Sequence, residues 1–142
     1  MLQRMLDEYA IREVLNRYCR GIDRRQFDLV RSCYHPDASD DHGGFKGGVE
    51  AFIAMCTESL KRYERTMHFM GNQFVKLEEG ADEGFVETYA VAYHMEAEGS
   101  PYPDLVMGVR YQDTVGRNGN DWIITARRAI PHWVRGPLPR PE

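Results

Sequence analysis

Two side chains of this 142-residue chain have the types and surroundings that proton transfer needs. His68 interrupts the apolar run Met67, Phe69, Met70, and Asp23 closes the helical pattern inside NRYCRGIDRRQFD. An imidazole among apolar neighbours costs free energy unless both ring nitrogens find partners. A buried carboxylate is the partner that would also hold one tautomer and stabilise the imidazolium, making a general base that works near neutral pH. Asp23 needs compensation in turn, because the C-terminal end of a helix dipole disfavours a carboxylate. Arg24 and Arg25 could supply it in solvent, with Asp23 capping the next helix, and His68 also reads as a hydrogen-bonded core histidine.

A second tier of polar residues follows: His94, His42, Asp40, Asp41, Tyr34, and Arg127 or Arg128. The run SDDHGG holds two acids and a histidine, but adjacent residues rarely converge on one ion, so no metal site is expected. Neither a phosphate-binding glycine loop, a G-x-S-x-G elbow nor a paired Cys/His motif is present, which weighs against nucleotide-dependent and covalent chemistry. Cys19, Cys33 and Cys56 are odd in number and lack C-x-x-C spacing, so they are read as reduced structural thiols.

The elements that must position these residues are legible from periodicity. Leu2, Met5, Leu6, Tyr9, Ile11, Val14, Leu15, Tyr18 and Cys19 recur at helical steps, which predicts one long amphipathic helix broken by Gly21. A second helix is expected from Arg25 to about Cys33, ended by the turn residues His35, Pro36 and Asp37, and a third from near Gly48 to about Arg62. From Glu64 onward NQFVKLEE, GFVETYAVAYHMEA, DLVMGVRYQDTVGR and DWIITARRAIPHWV read as four strands separated by hairpin and loop residues. Period-two alternation places Ala90, Ala92 and His94 on one face and Tyr89, Val91 and Tyr93 on the other. Helices followed by an antiparallel meander make an α+β domain, with an apolar pocket where helices close over the concave face.

Composition bounds the function classes. The chain is 42% hydrophobic and 28% charged, ordinary for a single globular domain of this length. A net charge of −4 lacks the basic footprint of a phosphate-backbone binder, so no nucleic-acid partner is expected. No apolar window or signal-peptide pattern is evident, so no membrane partner and a cytoplasmic location are expected. The last residues, GPLPRPE over 136–142, read as an extended proline-rich tail after a domain spanning 1–135.

The segments IREVLNRYCRGIDRRQFDLVRSCYHPDA, RTMHFMGNQ and DWIITARRAIPHW, in that order and spacing, resemble the SnoaL-like family of the nuclear transport factor 2-like superfamily over residues 5 to 135. The resemblance implies a cone-shaped barrel: a strongly curved, mainly antiparallel sheet with N-terminal helices closing over an apolar pocket. Members include scytalone dehydratase, bile acid 7α-dehydratase, a dehydrochlorinase and polyketide cyclases, beside binding-only proteins. In the eliminating members a helix-end Asp pairs with a His in a T-x-H strand, which by motif implies Asp23 and His68 here. Tyr18, five residues before the Asp, matches the bile acid enzyme, whereas the dehydrochlorinase would have lysine, which counts against dehydrochlorination. His94 and His42 fall on a second catalytic histidine and a pocket tyrosine of the scytalone enzyme, whose pocket asparagine is replaced by Met107 or a neighbour. Arg127 falls on a strand-end arginine.

The implied function is a cofactor-independent dehydratase-like lyase or isomerase acting on a small hydrophobic cyclic molecule. Asp23, His68, Tyr18, His94 and Arg127 would be its catalytic residues, and His42, Tyr34, Phe69, Met107 and Trp133 its substrate contacts. The alternatives are a non-catalytic binding module, or a small subunit like the β subunit of ring-hydroxylating dioxygenases. A homo-oligomer, dimer or trimer, is expected from the uncovered outer sheet face.

Overall fold

The computed structural model describes residues 1–137, so residues 138–142 of the expected proline-rich tail lie outside the described residues. The element order is α1 (Leu2–Asp23), α2 (Phe27–Ser32), β1 (Tyr34–Asp41), β2 (Lys46–Gly48), α3 (Val49–Ser59), a 3-10 turn (Leu60–Arg62), β3 (Arg65–Lys76), β4 (Glu83–Met95), β5 (Leu105–Asn118) and β6 (Asp121–Arg135). The strands form one sheet in the order β2-β1-β6-β5-β4-β3, antiparallel except where β1 runs parallel to β6. This is an α+β fold with an open, mainly antiparallel sheet under N-terminal helices. None of the helices among the described residues is long and apolar enough to cross a membrane.

Among the described residues six strands are present where alternation indicates four. The polar, proline-containing YHPDASDD reads as a turn, yet it forms β1, with Tyr34, Ala38 and Asp40 buried and a register shift between Tyr34 and Ser39 in its pairing with β6. A short strand that buries an Asp gives no apolar alternation to detect. β3 also starts at Arg65, before the expected NQFVKLEE, so that His68 stands on a strand.

Gly21 does not break α1, which continues to Asp23. A Cβ on Gly21 would lie 2.7 Å from Val30 Cγ2, so the missing side chain is what lets α2 pack against α1. The chain turns instead at Arg25, whose φ of 57° lies in the left-handed region. Ile11, Val14, Leu15, Tyr18, Cys19 and Ile22 form the buried stripe of α1, but Leu2, Met5, Leu6 and Tyr9 are exposed. Buried Asp7 anchors the first half of α1 to the β5–β6 hairpin: Arg117 donates to both its oxygens at 2.9 and 3.0 Å, and Trp122 Nε1 at 3.1 Å.

Candidate active site

The last residue of α1 and the fourth pair of the β3–β4 ladder, His68 with Ala92, meet at the open edge of the sheet. Because β3 pairs only with β4, alternate N–H groups of β3 point away from any strand. The N–H of His68 is donated to Asp23 Oδ2 at 2.8 Å, and the ring Nδ1 lies 2.7 Å from Asp23 Oδ1. Thr66 donates its hydroxyl to the same Oδ1 at 3.1 Å, while Arg25 donates to Thr66 Oγ1 at 2.7 Å and to the Ile22 carbonyl at 2.8 Å. The left-handed turn at Arg25 is thus what carries its guanidinium back over the pair. Neither Thr66 nor Arg25 was assigned to the site from the sequence, although Thr66 is the threonine of the T-x-H motif, on the same face of the strand as His68, and Arg25 was read as a solvent counter-charge for Asp23.

This network answers where the charge of Asp23 is balanced. Burial raises the carboxyl's pKa, but the His68 ring, the His68 backbone N–H and the Thr66 hydroxyl outweigh it and hold the group below the usual carboxylate range. Asp23 makes no side-chain cap to α2, whose N-cap is Gln26. With an anionic Asp23 accepting at Nδ1, the imidazole is the Nδ1–H tautomer by its hydrogen bonding, and Nε2 is the nitrogen left for the interior.

That interior is a cavity of about 160 Å³ between the helices and the concave sheet face. Tyr18 and Ile22 of α1, Phe52, Met55 and Cys56 of α3, and Met107, Val109 and Tyr111 of β5 supply most of its wall, and His42, His68 and His94 supply its imidazoles. Burial pushes the Cys56 thiol up to about 12, which keeps it protonated and inert as a nucleophile. Tyr18 is also raised by burial and remains a phenol, a hydrogen-bond donor to any oxygen in the cavity. His94 meets His68 edgewise at 6.2 Å and lies tilted against Tyr63 at 5.0 Å. Its burial, with the His68 imidazole beside it, lowers its pKa to about 4, so the ring is neutral near pH 7. Its Nδ1 has no hydrogen-bond partner among the described residues.

Several expected contacts lie elsewhere. Phe69 and Trp133 do not line this cavity: they stand 64% and 40% exposed around a shallow groove on the outer sheet face. For Phe69 the reason is parity, since His68 points inward and its neighbour must point out. For Trp133 it is the register shift between Gly108 and Val109, where Val109 pairs with Pro131 and Gly108 with Trp133, which turns Trp133 to the outside. Tyr34 is buried behind the wall, with its hydroxyl donating to Asp40 Oδ2 at 2.8 Å.

Arg127 is the buried member of the Arg127/Arg128 pair, yet it too stands behind the cavity. Its guanidinium carbon lies 4.1 Å from the Tyr18 ring centroid and 4.3 Å from that of Tyr111. Nε and Nη2 donate to Asp113 at 2.7 and 2.9 Å, with both side chains fully buried. Burial raises the Asp113 carboxyl despite that partner. Asp113 was missed in the sequence, although its inward parity with Val109, Tyr111 and Val115 marks it as a buried acid in need of a cation.

Residues 3–128 match the family model described as a SnoaL-like domain. Among solved structures, the chain is similar to a candidate scytalone dehydratase of Novosphingobium aromaticivorans, at 17% identity and a TM-score of 0.87 over 97% of this chain and 92% of that one. A type 3 hexachlorocyclohexane dehydrochlorinase of Novosphingobium barchaimii matches at 17% identity and a TM-score of 0.81, over 95% and 92%. A candidate aromatic ring hydroxylase of Novosphingobium aromaticivorans matches at 21% identity and 0.82, over 93% and 94%. At these identities the likeness is one of fold. No curated protein matches the chain in sequence.

Proposed function

The chain belongs to the SnoaL-like domain family, and from that premise we propose that it is a cofactor-independent lyase or isomerase of the dehydratase type, acting on a small cyclic carbonyl compound. The observation that carries this reading is the Asp23–His68 pair with its free Nε2 on an apolar cavity. His68 Nε2 takes a proton from a carbon next to a carbonyl, and Asp23 holds the ring and stabilises the imidazolium. The Tyr18 phenol, with neutral His94 beside His68, donates to the enolate oxygen as it develops. The enolate then either expels a β-hydroxyl as water or is reprotonated elsewhere, giving dehydration or isomerisation.

Cavity size narrows the substrate. About 160 Å³ is close to the roughly 150 Å³ engineered cavity that takes benzene. A single ring fits that space.

The test is turnover of a panel of β-hydroxy cyclic ketones by wild type, Asp23→Asn and His68→Gln, with thermal melting as a control for folding. Loss of a positioned general base costs about 10²–10⁴-fold in rate. An Asp23→Asn protein that melts like wild type and turns over at the wild-type rate would sink the assignment. A binding-only module predicts ring-sized ligands that raise the melting temperature but are never converted. The likeness to a candidate ring hydroxylase keeps a subunit role in view, which co-purification with a larger chain would reveal.

A further inference from the structure

A second carboxylate–imidazole pair opens on the same cavity. His42, one residue past the end of β1, has its Nδ1 hydrogen-bonded to Asp40 Oδ1, and its ring is part of the cavity wall. Asp40 is 1% exposed, and its other oxygen accepts the Tyr34 hydroxyl. The imidazole stacks on Phe52 at 4.8 Å and 18°, and meets Tyr111 edgewise at 6.3 Å, so its plane is set from two sides. With Nδ1 on Asp40, Nε2 is again the nitrogen left for the cavity.

The charges nearby leave Asp40 to His42. Asp40 pairs in register with Arg127, and Arg127 with Asp113, on three adjacent strands. Arg127 is committed to Asp113 through Nε and Nη2. A buried carboxylate needs a partner that can carry positive charge, and His42 is the one in contact. The two histidines also belong to distant parts of the strand order, His42 just past β1, second from one edge, and His68 on β3 at the other edge, so the curved sheet brings them to the cavity from different walls.

We propose that His42 is the general acid of this site, with Asp40 as its positioning residue, so that the two histidines divide one elimination between them. This rests on the lyase reading above and adds the group that handles the leaving oxygen. His68 Nε2 takes the α-proton, and the C–H electron pair becomes the new C=C bond. The C–O bond breaks with its electron pair going to oxygen, which takes the His42 Nε2 proton and leaves as water. His42 ends neutral and His68 ends as imidazolium, and exchange with solvent restores both. His94 is unsuited to the acid role because it is neutral near pH 7. The matching substrate class is a monocyclic β-hydroxy ketone.

The probe is a β-hydroxycyclohexanone in deuterium oxide, followed for α-deuterium incorporation and for water loss, with His42→Gln and Asp40→Asn beside wild type. Both variants are expected to lose elimination by at least about a hundredfold while α-exchange continues. A merely structural role for the pair would depress both together. A readout independent of turnover is NMR of ring-labelled histidines with phenol added: wild-type His42 and His68 should both respond, and the His42 response should be lost in Asp40→Asn. Phenol that moves His68 but not His42, or variants that lose exchange and elimination in parallel, would overturn the acid role and leave the Asp23–His68 assignment standing. Wild-type protein that catalyses neither step on any ring ketone tested overturns the lyase reading and the acid role with it.

Discussion

At the scale of single residues, the site is a set of imidazoles sorted by their neighbours. His68 and His42 each have a carboxylate on Nδ1, whereas His94 has aromatic and histidine neighbours and no carboxylate in hydrogen-bonding contact. The lowered His94 pKa makes a statement about stability. Between its ordinary value of 6.5 and about 4 the unfolded chain binds a proton that the folded chain does not, so stability is fully present above pH 6.5 and falls as pH drops toward 4. The full shift corresponds to about 3 kcal/mol as an order of magnitude. Urea unfolding at a series of pH values should therefore show a decline through this window that is flattened in His94→Phe. Asp23 adds a further loss of the same sign at lower pH, below the ordinary carboxylate value of about 4, because its folded pKa is depressed.

Among the elements, the α1–α2 junction decides where Asp23 stands. Gly21 lets Val30 approach so closely that α2 folds back on α1, and Arg25 then turns the chain with its side chain over Thr66. For Gly21→Ala two effects compete. Alanine favours a helix by about 1 kcal/mol, while its Cβ would meet Val30 Cγ2 at 2.7 Å, the Val30 nitrogen at 3.0 Å and the Gln26 carbonyl at 3.2 Å. Backbone atoms give little, and overpacking costs typically 1–3 kcal/mol, roughly, so the clash wins. The expected result is a Tm several degrees below wild type, together with weaker turnover as Asp23 is displaced from His68. A variant more stable than wild type would show that α2 can move away freely.

For the molecule as a whole, the outer sheet face is the exposed counterpart of the cavity. Phe69, Val91, Gly108 and Trp133 are register partners in succession across β3, β4, β5 and β6, an apolar row with Met67 and Tyr89 on the same face. Gly108 has no side chain in the way, so the Trp133 indole lies directly on the sheet. Such a patch is what a second copy of the chain would cover. Light scattering after gel filtration should therefore give a dimer or trimer mass, and Phe69→Lys with Trp133→Lys should shift it to the single chain while leaving the cavity intact. A single-chain mass for wild type at micromolar concentration would reject this assembly.

The sequence by itself determined the three helices, the four strands after α3, the shared face of Ala92 and His94, and the need of His68 for a carboxylate partner, which the family resemblance placed at Asp23. Each rests on local periodicity or on the cost of burying one charged or polar group, and these are properties of short stretches. Even the fate of Phe69 was implicit in the alternation that turns His68 inward. The tertiary structure alone decided the rest. A register shift turned Trp133 outward, a parallel pairing with β6 made a strand of YHPDASDD, and side-chain packing put Arg127 behind Tyr18 and Tyr111 rather than in the cavity. These depend on which strand lies beside which, and the Asp40–His42 pair facing the cavity from the far wall is the product of that adjacency.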